Sequence, residues 1–311
     1  MRIIIHQPQT FSEIGQKPNQ EDCIYPSAKK VTKKDRVFIL CDGMGGHEHG
    51  EVASQTVCRA LGHFLKSHPP RRGVMTTELF NAALAYAYDA LDKQDTGDEA
   101  LKMGTTMTCL YLHRGGYLVA HIGDSRIYHI RPGLTNLAEG RLGILYQSSD
   151  HSLANELLRA GELTEDEARH FPQKNIITRA MQPHLERRHK ADVYSFSDIQ
   201  KGDYFFLCCD GVLEQLTNER LCEILANPGL DDAGKLQAIK QVCDGKTKDN
   251  YTCYLIPIAD VRREEEDRNE QEDVIQAAKA STTDGVQTSQ RGKGFSTLAK
   301  KLEQIKKWLK S

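Results

Sequence analysis

The sequence lacks any long apolar run. Within its 311 residues no stretch is long enough and apolar enough to span a bilayer. The first residues, MRIIIHQPQTFSEIG, contain only three consecutive isoleucines, which is too few for the apolar core of a signal peptide. From these absences we expect a soluble, cytoplasmic protein.

An excess of charge of one sign is also missing. The chain has 41 Lys and Arg against 43 Asp and Glu, for a formal net charge of -2. Such a balance gives no general attraction to nucleic acid or to an anionic membrane, so no nucleic-acid partner is predicted. With 39% hydrophobic and 27% charged residues, the chain can form a globular body of roughly 250 residues with one sizeable core.

Paired cysteine motifs are the third absence. The chain has nine cysteines but no Cys-x-x-Cys pair, which removes the usual signature of a zinc ribbon or a redox dithiol. Five of the cysteines lie within apolar, strand-like runs, where small buried thiols are common: Cys41, Cys109, Cys208, Cys209 and Cys253. We therefore predict reduced thiols in the core.

The pattern of apolar residues predicts strands and helices through residue 258, with glycine turns between several of the strands. Strands are predicted at 2–6, 37–40, 104–112, 117–122, 127–130, 193–196, 204–209 and 251–258, with a weaker one at 142–146. Helices are predicted at 50–66, 76–94, from 153 onward, 217–225 and 232–242. The predicted body is residues 1–260.

The composition changes after that body. Residues 261–294 are rich in acidic, Gln, Ser, Thr and Gly residues and have few large apolar ones, so we predict a flexible linker. Residues 295–311, FSTLAKKLEQIKKWLKS, place apolar residues at helical spacing beside five lysines and one glutamate. This basic amphipathic helix has three interpretations: a disordered appendage, a helix that binds a partner protein, or an anchor peripheral to a membrane surface.

One stretch combines a predicted buried strand with an acid and glycines. Residues 37–40 form a continuous apolar run, and Asp42 follows that run at the predicted strand end. Gly43, Gly45 and Gly46 leave the backbone free to adopt positive φ and to approach an ion closely, so the Gly43 carbonyl is itself a possible ligand. An ordinary glycine turn is the alternative.

Five acidic positions, including Asp42, share this context of a strand end or turn: Glu21 with Asp22, Asp42, Asp124, Asp210 and Asp249. Mg²⁺ and Mn²⁺ prefer carboxylates, carbonyls and waters, and a carboxylate that bridges two ions would create a two-metal centre. Spacing alone leaves open that these acids are helix caps or turn residues.

Seven motifs that contain these acids occur in order along the chain. They are Gly-x-Lys-x-x-Gln-Glu-Asp (15–22), Asp-Gly-Met-Gly-Gly-His-x-x-Gly-Glu-x-Ala-Ser (42–54), Gly-Thr-Thr (104–106), Gly-Asp-Ser-Arg-x-Tyr (123–128), Asp-His-Ser (150–152), Asp-Gly (210–211) and Asp-Asn (249–250). With them the chain resembles the bacterial type of metal-dependent protein phosphatases, type 2C, the PPM family. The resemblance covers residues 4–258 and implies an α+β fold. That fold is a four-layer αββα sandwich of two mainly antiparallel sheets flanked by helices, with a small helical flap at about 150–181.

The resemblance also implies roles for the acids. Asp42 would bridge two Mn²⁺ or Mg²⁺ ions, and a water between the ions would be the nucleophile. The remaining ligands would be Glu21 and the Gly43 carbonyl on one ion, Asp210 and Asp249 on the other, and Asp124 with Asp210 on a weaker third ion. Asp22 would hydrogen-bond to metal-bound water.

Substrate contacts are implied in the same way. Lys17 stands where the family usually has an arginine and would bind the substrate phosphate, although an ammonium lacks the two parallel hydrogen bonds of a guanidinium. The flap, Asp150 to Met181, would lie near the substrate peptide. Met44 cannot donate a proton to the leaving group, which leaves His47 and His49 as nearby candidates.

The implied activity is hydrolysis of phosphorylated Ser and Thr residues in proteins without a phosphoenzyme, by a monomeric catalytic domain that opposes a bacterial kinase. The residues agree, since no cysteine has an arginine six positions later and no Asp-x-Asp occurs. Two alternatives remain: a catalytically weak module that binds phosphoproteins, and a phosphatase of an anti-sigma antagonist.

Overall fold

The computed structural model describes residues 1–45, 49–95, 103–173 and 176–263, without the side chain of residue 169. One compact unit extends from Met1 to Arg262. The predicted helix at 295–311 and the predicted linker beyond residue 263 lie outside the described residues. Within those residues, no helix has the length and apolar character needed to cross a membrane.

Twelve strands are described, and their pairing is antiparallel throughout. They are β1 (Arg2–Ile5), β2 (Gln9–Glu13), β3 (Asp22–Tyr25), β4 (Val37–Met44), β5 (Gly104–Thr105), β6 (Met107–His113), β7 (Gly116–Ile122), β8 (Arg126–Ile130), β9 (Ile144–Gln147), β10 (Asp192–Phe196), β11 (Tyr204–Cys208) and β12 (Tyr251–Arg262). One sheet has the order β1-β12-β11-β8-β9, with β2 also on β12. The second has the order β10-β7-β6-β4-β3, with β5 on β4.

Seven α-helices are described in the same residues: α1 (His49–Ser67), α2 (Thr77–Asp92), α3 (Leu153–Arg159), α4 (Glu165–His170), α5 (Asp210–Leu213), α6 (Asn218–Ala226) and α7 (Asp232–Cys243). Five of them begin after a Ser, Thr or Asp whose side chain accepts a hydrogen bond from a backbone N–H of the first turn. These residues are Thr76, Ser152, Thr164, Thr217 and Asp231. The helix starts are therefore set by local sequence.

The two sheets pack face to face, and helices cover their outer faces. Aromatic contacts join the sheets, including Phe38 of β4 to Tyr254 of β12 at 5.6 Å between ring centroids. Helices α1 and α2 bury a second apolar cluster against β4, β6 and β7. Helices α6 and α7 contribute buried residues to the core shared with β11 and β12. The prediction of an α+β, αββα sandwich is thereby confirmed.

Several predicted elements differ in the structure. Strands β2 and β3 were not predicted, because β2 has one large apolar residue among polar ones and β3 is only four residues long. The predicted strand at 104–112 is two strands, and β12 continues to Arg262, two residues into the predicted linker.

The prediction that Asp42 lies at a strand end is wrong, since β4 continues through Asp42 and Gly43 to Met44. The reason is pairing: β4 gains β5 as a partner at that end, with Gly43 opposite Thr105. Gly43 does not adopt positive φ. It lacks a side chain because α1 begins against it, and a Cβ there would lie 2.2 Å from the Gly50 carbonyl oxygen.

Candidate metal centre

Asp22 and Asp42 lie directly opposite each other in the β3–β4 pair. Side chains of directly opposed residues project from the same face of a sheet and are close neighbours. The Asp42 backbone is held by the Gly-Thr-Thr segment: its N–H donates to Thr106 Oγ1 at 3.0 Å, and its carbonyl accepts from Thr106 N and Thr105 Oγ1, each at 2.9 Å. These contacts fix the position of Asp42.

The other sheet contributes acids to the same place. Asp210 begins α5 directly after β11, and Asp249 precedes β12. Gly211 permits their approach, because a Cβ there would lie 2.0 Å from the Asn250 carbonyl oxygen. The Asn250 side chain accepts from Glu21 N at 2.7 Å, so the backbone of Glu21 is joined to the loop of Asp249.

The predicted site residues are brought together. Asp22 and Asp42 offer carboxylate oxygens that lie within 4.8 Å of each other, and the charges of Asp210 and Asp249 act on both. Burial raises the pKa of Asp22 to about 7, and the nearby charges of Asp210 and Asp249 add to the increase. Burial and the charges of Asp22, Asp210, Asp124 and Asp249 raise the pKa of Asp42 well above its usual value.

The remaining acids follow the same pattern. Burial, with the charge of Asp210, raises the pKa of Asp124 to about 7. Burial also raises the pKa values of Asp210 and Glu21, in each case with a contribution from the charge of Asp249. A group of acids that raise one another's pKa values is characteristic of a site that holds a cation.

Two buried oxygens decide whether this site fits divalent ions. Asp22 Oδ1 and Asp124 Oδ1 have no hydrogen-bond partner among the described residues. An unpartnered buried carboxylate oxygen is costly, and a hard cation, or a water bound to that cation, would provide its missing partner. The residues therefore fit Mg²⁺ or Mn²⁺, which take carboxylate and carbonyl oxygens as ligands.

Lys17 lies beside this group. Its Nζ is 3.0 Å from Asp249 Oδ1, and both side chains are partly exposed. Burial alone would lower the pKa of Lys17, but the hydrogen bond and charge of Asp249 and the charges of Glu21 and Asp42 raise it overall. The residue predicted to bind phosphate thus contacts a predicted metal ligand.

Comparison with known proteins identifies the family of this chain. The protein-family description "Protein phosphatase 2C" matches residues 12–238. The chain belongs to the protein phosphatase 2C family. It is 31% identical to the serine/threonine protein phosphatase PstP of Mycobacterium tuberculosis over 244 residues, 78% of this chain and 43% of PstP. The chain thus spans less than half the length of that relative.

Two further similarities extend this result. Protein phosphatase PhpP of Streptococcus pneumoniae is 31% identical over 220 residues, 70% of this chain and 83% of PhpP. A crystal structure of the catalytic domain of PstP in complex with two manganese ions has a TM-score of 0.64 and 28% identity, and the match covers 83% of this chain and all of that chain. That solved relative therefore binds two manganese ions.

In this phosphatase 2C member, sequence reasoning missed Cys209, which was assigned only to the core. Its thiol donates to Asp22 Oδ2 at 3.3 Å, and its sulfur accepts from Thr252 N at 3.1 Å. Burial and the charges of Asp22, Asp42 and Asp210 raise the thiol pKa well above its usual value, so the thiol stays protonated. Cys209 is therefore a hydrogen-bond donor that orients Asp22. The doubled cysteine before Asp210 is the signal that could have indicated it.

The flap segment, Asp150 to Met181, is attached beside the acids at both ends. Gly123 N donates to His151 Nδ1 at 3.1 Å, next to Asp124, and Met181 exchanges two backbone hydrogen bonds with Thr105, each 2.9 Å long. Arg126 donates Nε and Nη2 to the two Asp150 carboxylate oxygens, each at 2.7 Å, and this ion pair holds the start of the flap to β8. His47 lies outside the described residues.

Proposed function

We propose that this protein is a metal-dependent phosphatase that hydrolyses phosphorylated Ser and Thr residues of proteins by direct attack of water, without a phosphoenzyme. The observation that carries the proposal is the acidic group drawn from both sheets, in which two buried carboxylate oxygens lack partners. Names of the relatives support the same substrate class. The proposed substrates are proteins that a bacterial Ser/Thr kinase has phosphorylated.

The proposed ligands divide between two Mn²⁺ or Mg²⁺ ions. Asp42 would contact both, and the others would be Glu21 with the Gly43 carbonyl on one ion, Asp210 with Asp249 on the second, and Asp124 on a weaker third. When bound, such ions activate water and neutralise charge on the phosphoryl oxygens.

The chain's own residues hold the site in position for this reaction. Thr105 and Thr106 fix the Asp42 backbone, and the Cys209 thiol occupies Asp22 Oδ2. Asp22 Oδ1 is therefore left to accept a hydrogen bond from an attacking water. Lys17 lies at the exposed side of the group, where its ammonium can contact an incoming phosphate.

Metal removal tests the proposal. In EDTA we expect no hydrolysis of a phosphopeptide or of p-nitrophenyl phosphate, and added Mn²⁺ or Mg²⁺ restores both reactions. Mn²⁺ at about one hundred times its dissociation constant should stabilise the fold by about 2.7 kcal/mol. Calorimetric titration and thermal unfolding measure binding independently of activity. If Mn²⁺ does not bind and neither substrate is cleaved, the chain is instead a module that binds phosphoproteins.

Substitution of Lys17 tests its contact with phosphate. Replacing Lys17 by Met should raise the KM for a phosphopeptide roughly tenfold or more, because a charge-assisted hydrogen bond is lost. Lys17→Arg should retain or lower the KM, since a guanidinium can form two parallel hydrogen bonds to phosphate.

The Lys17–Asp249 contact provides the control for that experiment. If Lys17 acts on phosphate, Lys17→Met leaves Mn²⁺ affinity equal or higher, because a cation beside Asp249 has been removed. A loss of Mn²⁺ affinity that matches the rise in KM would mean that Lys17 acts through Asp249 instead. Calorimetric titration of both variants decides between these results.

A further inference from the structure

A cavity of about 390 Å³ lies along the segment that connects the flap to β10. Its lining residues are Arg179, Arg187, Arg188, His189, Lys190 and Asp192. Four of these side chains carry a permanent positive charge and one carries a negative charge. The cavity is therefore strongly basic in a chain whose formal net charge is -2.

Two of its four cations are already neutralised. Arg188 Nη2 contacts Asp89 Oδ1 at 2.7 Å and Asp92 Oδ2 at 2.6 Å, and its guanidinium lies over the Tyr88 ring. Arg179 Nη1 lies 3.5 Å from Asp192 Oδ1. These contacts anchor the walls of the cavity to α2 and β10 and leave little charge on either arginine for a ligand.

Arg187 and Lys190 lack the ion pairs that Arg179 and Arg188 form in the described part of the chain. Both are exposed, and neither has a hydrogen bond or an ion pair with the residues that the structure describes. His189 adds no charge near neutral pH, because burial and the nearby Arg179 lower its pKa. Two cations are thus available for an anionic ligand in a cavity large enough for acidic side chains.

The segment is attached to the acidic group at both of its ends. At one end Met181 pairs with Thr105, whose hydroxyl donates to the Asp42 carbonyl. At the other end Asp192 lies 3.2 Å from His151 Nε2, and His151 accepts from Gly123, next to Asp124. The segment that lines the cavity is therefore linked at both ends to residues that adjoin the proposed reaction site.

We propose that this cavity binds acidic residues of the phosphoprotein substrate at positions away from the phosphorylated residue, with Arg187 and Lys190 as the contacts. The proposal rests on the proposed function. An acidic peptide matches two unpaired cations better than a nucleic acid does, because no Phe, Tyr or Trp lines the cavity to stack on bases.

Binding of a peptide that contains no phosphate tests the cavity independently of catalysis. The probe is a fluorescein-labelled peptide of Glu and Asp, titrated with the full chain in EDTA at low salt while anisotropy is measured. Loss of two exposed charge pairs in Arg187→Gln/Lys190→Gln should raise the Kd roughly threefold to thirtyfold. The variant Lys29→Gln/Lys30→Gln makes the same change in net charge at exposed residues elsewhere and should leave the Kd within about twofold.

Kinetics on matched substrates form the second arm. A phosphopeptide with an acidic block should lose kcat/KM in Arg187→Gln/Lys190→Gln, and varying the spacing between block and phosphoserine should locate the best distance. The same peptide with serines in the block, and p-nitrophenyl phosphate, should be hydrolysed as by the parent protein.

Three results would overturn the proposal: an equal loss on all substrates, no preference for the acidic block in the parent protein, or an equal rise in the Kd for the probe in both double variants. The proposal would also be overturned if the acidic probe did not bind at all while inorganic phosphate still inhibited hydrolysis. Absence of all hydrolysis by the parent protein with Mn²⁺ would instead contradict the proposed function, and the binding arm would still test the cavity.

Discussion

Asp42→Asn should lower kcat/KM for a phosphopeptide by at least about a thousandfold, because ion-assisted stabilisation of phosphoryl transfer contributes several kcal/mol and each 1.36 kcal/mol is a factor of ten. Asp42 lies opposite Asp22, and the charges of four other acids act on it. An amide keeps the shape of the side chain but removes the charge that two cations would share. Steady-state kinetics with saturating Mn²⁺ measure the effect.

Stability without metal separates this loss from misfolding. In EDTA, Asp42→Asn should be at least as stable as the parent protein, because one of several buried like charges has been removed. Thermal unfolding with and without Mn²⁺ provides the comparison, and the variant should also lose most of the metal-induced stabilisation. Glu219→Gln, the same type of change at an exposed residue of α6, serves as the control and should alter neither quantity. Activity within about tenfold of the parent protein, or unfolding in EDTA, would contradict the role of Asp42.

The acids of the site could be predicted because their local patterns are repeated. FILCDG (38–43) and FFLCCDG (205–211) both consist of a buried apolar run followed by an acid and a glycine. The structure places both aspartates in one group, one from each sheet. Local sequence was sufficient to find both acids, since an apolar run and the acid and glycine that end it are adjacent in the chain.

The residues that hold the acids could not be predicted in the same way. Asn250 accepts from Glu21 N across 229 positions of sequence, and Cys209 donates to Asp22 across 187. Such contacts depend on the register of strands that are distant in the chain, and no periodicity in either segment encodes that register. The same reason explains why β4 was predicted to end early, because its last residues pair with β5 and no local pattern indicates that pairing.

A second large effect is expected at the opposite end of β11 from Asp210. Asp203, which precedes β11, is fully buried and accepts four hydrogen bonds: from His129 Nε2 at 2.8 Å, Arg131 Nε at 2.8 Å, Arg131 Nη2 at 3.0 Å and Gln200 N at 2.8 Å. Tyr117 extends the network, with its hydroxyl 2.7 Å from His129 Nδ1. These contacts join β7, β8 and the start of β11.

Asp203→Asn should lower the free energy of unfolding by about 3–5 kcal/mol, because it leaves buried donors without the charge that they require. Urea denaturation of the metal-free protein measures the change, and kcat of the folded variant should be unaltered. Asp198→Asn is the matched control, since Asp198 also binds Arg131 but its side chain is 68% exposed. Loss of that exposed pair should cost no more than about 1 kcal/mol. Equal effects of the two substitutions would contradict the importance of burial.

The pH dependence of stability distinguishes charge from packing at Asp203. Burial alone would raise the pKa of Asp203, but hydrogen bonds from His129, Arg131 and Gln200 lower it below the usual value. A carboxyl with a lowered pKa contributes stability above its unfolded pKa of about 3.9, and that contribution is lost as the pH falls through the folded pKa. The difference in stability between the parent protein and Asp203→Asn should therefore be constant near neutral pH and shrink below about pH 4. A difference that stays constant at low pH would mean that the side chain acts through its shape and not through its charge.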